Sequence, residues 1–378
     1  MAVLTEEQTM LRDSAREWVR EKAPVGAFRK LRDSQSPIGF DPAAFAEMAE
    51  MGWAGVVIPE AYGGSEFGYL SLGLVLEEMG KTLAASPLLA SALASASAIV
   101  LGGTEAQKAA WLPKIASGDL IATLAVDEGP RHDPAHVTLK AIKSGDGYTL
   151  SGVKTFVLEG MAAGLFIVSA RTSGEVHDEA GITLFLLPAD AKGLTRERRH
   201  LADSRGYAAL TFDNVAVGAD AVLGEADHGY PLLEKVLDRA RAGLAAEMLG
   251  SAVQAFDTTL DYMKTRVQFG QTIGSFQALQ HRAARMFTEL ELCRSCVEAA
   301  LTAIDNDAAD APQLVALTKA MAGDTLNLLS REMVQMHGGI GMTDAHDAGL
   351  YLKRARAVEA TYGSSAWHRD RWGRMSGY

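Results

Sequence analysis

The stretch AGLAAEMLGSAV, Ala242 to Val253, holds one charged residue, Glu247, among small and apolar neighbours. On a helix its face is shared with Gly243, Leu244, Gly250 and Ser251, none of them cationic. A carboxylate kept among apolar groups is costly unless something answers its charge. Two readings follow: a general base held in a partly dry site, or a group that caps a chain end or reaches an arginine elsewhere in the fold. Two further stretches have chemical character. RVQFGQTIGSFQALQH, Arg266 to His281, sets a guanidinium suited to bidentate pairing with phosphate oxygens just before Gly270, where a backbone can come close. QMHGGIGMTDAH, Gln335 to His346, sets a glutamine before the pair Gly338–Gly339, a second close-approach site suited to a nucleotide.

The elements that must position these groups change character along the chain. The first third reads as helical. Thr5 with Gln8 makes a capping box, Leu11, Ala15, Trp18 and Val19 recur at helical spacing, and Pro42 opens a further helix in DPAAFAEMAEMGW. An alanine-rich helical region is expected from about Leu70 to Ala116. The runs GYTLSGVKTFVL, LFIVSAR, GITLFLLPA and YAALTFDNVAV are then short and β-rich, parted by Gly, Asp and Asn turns. Helical period returns from Tyr230 and continues towards the C-terminus, broken at HGGIG and YGSS. Helices, then strands, then helices exclude a doubly wound sheet, in which strand and helix alternate throughout.

Composition limits the function further. The chain has 378 residues, 48% of them hydrophobic, and a formal net charge of −11. That charge argues against nucleic acid or an anionic membrane as the main partner, though a local basic cluster still suffices for a phosphate. No apolar run is long enough to span a bilayer, and MAVLTEEQTM lacks the features of a signal peptide, so a cytoplasmic location is expected. No metal is expected either. Cys293 and Cys296 form a CxxC with no second ligand pair and read as helix-face fillers, while His337, His346 and His368 lack ligand spacing.

With VIPEAYGG, Val57 to Gly64, and GVKTFVLEG, Gly152 to Gly160, these motifs resemble the acyl-CoA dehydrogenase family over essentially the whole chain and in the right order. The resemblance implies an α+β fold: an N-terminal helical domain (1–118), a middle β domain (119–226) and a C-terminal four-helix bundle (227–378). It implies FAD between the β domain and the bundle, closed over by a neighbouring subunit. Arg266 and Phe269 would hold the pyrophosphate and adenine side of the partner's flavin, with Gln335, Gly338 and Gly339 also in contact. Val126 would meet the isoalloxazine through its backbone and Phe156 would stack on it. Arg241 matches a family arginine near the active site that binds substrate, or equally serves as a structural ion-pair partner. The expected reaction is α,β-dehydrogenation of an acyl-CoA in fatty acid or steroid side-chain catabolism. Electrons would pass to electron-transfer flavoprotein, and the assembly would be a dimer of dimers, homomeric or α2β2.

The chain departs from the family where the base should be. Most members carry it in a C-terminal YEGT; here Tyr362 to Ser365 read YGSS, with Gly363 at the glutamate position. Others carry it on the helix before RVQFG, at the position that Ala240 fills here. Glu247 lies seven residues on, two helical turns or about 10 Å along the same face, and is the candidate base. The segment that usually reads Thr-Glu-x-x-x-Gly-Ser-Asp is VDEGPRHDPAHV, keeping Glu128 alone, and Leu158 replaces a flavin-contacting threonine. These losses leave a second expectation open: a non-catalytic or half-site subunit that completes a partner's active site.

Overall fold

The computed structural model describes residues 4–378. The chain opens with α1 (Glu6–Lys22), α2 (Val25–Asp33), α3 (Pro42–Glu50), α4 (Tyr69–Thr82), a π-helical stretch Leu88–Ser95, α5 (Ala96–Gly102) and α6 (Glu105–Ala116). Strands follow: β1 (Ala122–Ala125), β2 (Lys140–Ser144), β3 (Gly147–Leu158), β4 (Leu165–Arg171), β5 (Ile182–Pro188), β6 (Leu194–Arg199), β7 (Tyr207–Val217) and β8 (Val222–Leu223). The remainder is α7 (Gly229–Thr265), the short strands β9 (Val267–Gln268) and β10 (Gln271–Thr272), then α8 (Gln277–Asp305), α9 (Ala311–His337), α10 (Ala348–Ala360) and α11 (Ser365–Met375). The architecture is the expected α+β order of helices, sheet and helices. Among the described residues no helix is long and apolar enough to cross a membrane.

Local chemistry sets many of these boundaries. Thr5 and Gln8 close a reciprocal capping box on α1, and Asp41 caps α3 with Pro42 in the first turn. The alanine-rich region is helical and broken into four segments. α4 ends at Thr82, where Leu83 takes a left-handed φ of 57°, Gly102 ends α5, and Thr104 starts α6 with a second capping box through Gln107.

The chain divides into two compact units, one of residues 30–72 and 85–240, the other of residues up to 29, 73–84 and 241–378. The first holds an eight-stranded sheet in the order β6-β7-β3-β2-β4-β5-β8, with β1 beside β4. Pairing is antiparallel except that β1 and β2 run parallel to β4. Leu139, Leu150, Val157, Phe166, Phe185 and Phe212 are among the side chains filling its core. The β3–β7 register slips between Lys154 and Val157, and inside that slip Phe156 takes a left-handed φ of 52°. An aromatic in that conformation at a bulge is a strained placement of the kind kept where a side chain must be aimed.

The second unit is helical. Part of α4 packs against α7 so closely that neither contact point tolerates a side chain. A Cβ built on Gly80 would lie 2.0 Å from the Glu247 carbonyl oxygen, and one on Gly250 would lie 1.8 Å from that of Glu77. Ser251 Oγ donates to the Gly80 carbonyl across this crossing, at 2.9 Å. The small residues around Glu247 are therefore there to admit another helix.

Candidate functional site

Glu247 sits at that crossing, 7% exposed. Its face of α7 brings no cation, but α10 does. Arg354 Nε and Nη2 both donate to Glu247 Oε1, at 3.0 and 2.7 Å, and Arg354 is itself buried. This is the distant arginine that one of the two readings required. The guanidinium answers the desolvation that a lone carboxylate would meet there, and it fixes where the carboxylate points.

The loop after α10 is pinned from beneath by buried Lys319 and Arg241. Lys319 Nζ donates to the carbonyls of Val358 (3.1 Å), Glu359 (3.1 Å) and Gly363 (2.9 Å). Burial pushes Lys319 down to about 7, with Glu359 acting to raise it and Arg241 to lower it. Arg241 Nε donates to the Tyr362 carbonyl at 3.2 Å, and its guanidinium lies 4.8 Å over the Trp367 ring. His368 Nε2 reaches the same carbonyl at 3.0 Å. Burial first, then Arg241 and Lys319, drive His368 well below the usual imidazole range, so it donates as a neutral ring. Arg241, read from sequence as a substrate contact, is fully buried and bonded as a structural partner is.

Gly363 itself has φ 107°, and a Cβ there would lie 2.7 Å from Trp367 Cε3 and 2.8 Å from His368 Nε2. A glutamate cannot be placed at 363 without displacing both rings.

The two nucleotide-type motifs are brought together in the helical unit by residues that sequence reading passed over. Tyr262, one turn before Arg266, stacks on His337, which directly precedes Gly338; the ring centroids are 4.3 Å apart at 29°. His337 also meets the His346 ring at 4.2 Å and is held by the Met333 carbonyl at 2.7 Å. Burial lowers its proton affinity, which suits a packing role. Tyr262 has a signal in the sequence, an aromatic four residues before the guanidinium, on the last turn of α7.

Arg266 lies at the root of a hairpin in which β9 and β10 pair through Gln268 and Gln271. Its two-residue loop is Phe269 (φ 54°) and Gly270 (φ 80°), both left-handed as a type I′ turn requires. Phe269 is held out at the tip, 91% exposed. Gln335 is exposed on the last turn of α9, followed by exposed Gly338 and Gly339. Gly338 needs its glycine for a φ of 63° and ψ of −139°. Gly339 has no such conformational reason, and a Cβ on it would meet nothing in the chain.

A glycine unexplained from inside, beside an exposed guanidinium, amide and aromatic, fits a flat anionic dinucleotide approaching from outside. Val267, Ile340 and Met342 are exposed around it, more apolar surface than a scatter of single residues.

In the sheet unit Phe156 is 40% exposed on its bulge. The Val126 carbonyl accepts from Lys154 Nζ at 2.9 Å, and the same ammonium donates to Glu128 Oε1 at 2.7 Å and Ser169 Oγ at 3.0 Å. Glu128 also accepts from Thr138 and from the Leu139 amide. Burial acts to raise Glu128, but Lys154 and Thr138 outweigh it and leave the carboxyl below its usual range. The one retained residue of the altered segment is a fixed anion beneath Val126. Cys293 behaves as the filler it was read to be, buried with its thiol pushed up to about 12 by desolvation.

Compared with known proteins, the chain matches three consecutive family profiles. They are the acyl-CoA dehydrogenase N-terminal domain at 5–119, the middle domain at 122–215 and the C-terminal domain at 227–376. It is 30% identical over 372 residues to the mitochondrial short/branched chain specific acyl-CoA dehydrogenase of Bos taurus, covering 97% of this chain and 84% of the relative. Among solved structures it resembles the Tcur3481-Tcur3483 steroid ACAD, with TM-score 0.89, 32% identity and 98% of both chains covered. It also resembles a chain solved in work on the electron transferring flavoprotein of Acidaminococcus fermentans. There the TM-score is 0.92 and the identity 28%, with 100% of this chain and 99% of that one covered.

Proposed function

The chain belongs to the acyl-CoA dehydrogenase family of FAD-dependent oxidoreductases acting on a CH–CH group, and on that premise we propose that Glu247 takes the α-proton of its thioester substrate. FAD, when bound, supplies the acceptor for the β-hydrogen, which leaves as hydride as the Cα–Cβ double bond forms. The observation that carries the reading is the Glu247 carboxylate, buried on α7 with Arg354 Nε and Nη2 donating to its Oε1. Arg266 and Gln335 would bind a neighbouring chain's dinucleotide by charge and amide, Gly338 and Gly339 would let it approach, and Phe269 would hold its adenine side. In the sheet unit Phe156 would stack on this chain's own flavin beside the Val126 segment, which Lys154 holds.

The exposed motif surface supports an assembly in which each chain completes a neighbour's flavin site, a dimer of dimers. Likeness to a steroid ACAD whose designation pairs two chains supports the α2β2 form and a steroid side-chain thioester. Likeness to a chain solved in work on an electron transferring flavoprotein supports that acceptor for the electrons. The functional test is anaerobic. The FAD-loaded protein is offered straight-chain, branched and steroid side-chain acyl-CoA thioesters, and its flavin is expected to bleach with one class.

The nucleotide role of the hairpin has its own test. Arg266→Ala removes a charge-assisted pair to phosphate and is expected to weaken FAD retention by about 1.5–3 kcal/mol. Equilibrium dialysis measures it. Retention equal to wild type would move the pyrophosphate contact elsewhere.

A further inference from the structure

Two histidines 41 residues apart in sequence meet in the sheet unit. His136 Nδ1 lies 3.4 Å from both Nδ1 and Nε2 of His177, and the ring centroids are 4.6 Å apart. The nitrogen faces the N–C–N edge of its neighbour at equal distances, so the contact is not one directed hydrogen bond. Asp133 precedes His136 by one turn, closed by the His136 amide on the Asp133 carbonyl at 3.1 Å. One ligand atom from each of the three lies within 4.8 Å of the others. Two imidazole nitrogens bound at about 2.0–2.1 Å to one tetrahedral ion stand about 3.3–3.4 Å apart. The histidine pair already has that spacing.

The two loops are not free to drift. Arg171, buried at the end of β4, sends Nη2 to the carbonyls of Ala135 (3.2 Å) and Val176 (3.0 Å), the residues directly before His136 and His177. Its Nη1 donates to the Ala180 carbonyl at 2.7 Å, and the Val137 amide donates to the Val176 carbonyl at 3.0 Å. One guanidinium and one backbone bond thus hold both ligand-bearing loops in fixed register, the support a metal site needs. Glu175, Asp178 and Glu179 on the β4–β5 hairpin add negative charge beside it, which favours a cation.

We propose that Asp133, His136 and His177 bind one divalent transition ion of the zinc type. Two imidazoles and a carboxylate suit that class, with the outer positions left to water. The ion would tie the loop that follows Val126 and Glu128, the segment in which this chain departs from the family pattern, to the β4–β5 hairpin. Linear spacing held no hint of it, because the ligands come from two loops joined only by the sheet.

Isothermal titration with Zn2+ of the FAD-loaded protein, first dialysed against chelator, tests this. One site per chain is expected. His136→Ala and His177→Ala should each weaken it at least about 10-fold, while His200→Ala, an exposed histidine elsewhere, should leave it unchanged. Mg2+ at the same concentration should not compete, because it prefers oxygen ligands. Flavin content equal to wild type establishes that the variants are folded. No site in the wild type, or a site indifferent to both substitutions, overturns the proposal.

Discussion

Glu247→Gln is expected to slow reduction of the bound flavin by substrate at least about 10²–10⁴-fold, the usual loss when a general base is removed, while flavin content and assembly stay as in wild type. The amide keeps the shape of the side chain. Arg354 Nε and Nη2 both donate to Oε1, and the carbonyl of glutamine can accept these two bonds. What it cannot do is take a proton. Stopped-flow reduction under anaerobic conditions separates the two roles left open for this residue. If Glu247 only balances the charge of Arg354, the reduction rate moves a few-fold and the melting temperature falls. If it is the base, the rate collapses as well, alongside the fall in melting temperature that comes from leaving Arg354 without its counter-charge.

Arg354→Met is expected to be the most destabilising single change in this region, by about 3–5 kcal/mol, because it leaves Glu247 buried without its guanidinium. Chemical denaturation at fixed FAD concentration measures it, the fixed concentration being needed because bound cofactor adds to apparent stability. The double variant Glu247→Gln with Arg354→Met removes both charges and should recover most of the loss. Its activity should not return. Stability and catalysis thus move apart in the pair, which no purely structural ion pair would produce. A single Arg354→Met that denatures with the wild type would mean the carboxylate draws its stability from other neighbours.

Sequence alone carried the architecture well where the local signal is strong. GYTLSGVKTFVL and YAALTFDNVAV are β3 and β7 residue for residue, because β-branched and aromatic residues are dense in both and glycine turns bound them. β1 was missed: its four residues are all buried and show no alternation. β6 was missed for the opposite reason. LTRERR is mostly exposed at the edge of the sheet, where charged side chains protect an unpaired strand and mask its pattern.

The candidate site was legible by motif and illegible by contact. The absence of the usual carboxylate at 363 could be read directly. That glycine is required there, by φ and by the rings of Trp367 and His368, could not. Glu247 appeared alone because helix neighbours extend only one turn each way, while Arg354 stands 107 residues further on. Arg241 kept two readings for the same reason, its partners Tyr362 and Trp367 lying beyond a hundred positions. The stack that joins the two nucleotide motifs links residues 75 apart, Tyr262 and His337.

The most direct measurement is a single anaerobic turnover with a thioester deuterated at the α-carbon, following flavin absorbance and product together. The expected result is one α,β-unsaturated thioester formed for each flavin reduced, with one α-deuterium lost to solvent in the same step, and neither event on that timescale in Glu247→Gln. A flavin that stays oxidised while every thioester class returns unchanged, or a Glu247→Gln variant that turns over at the wild-type rate, would contradict the account.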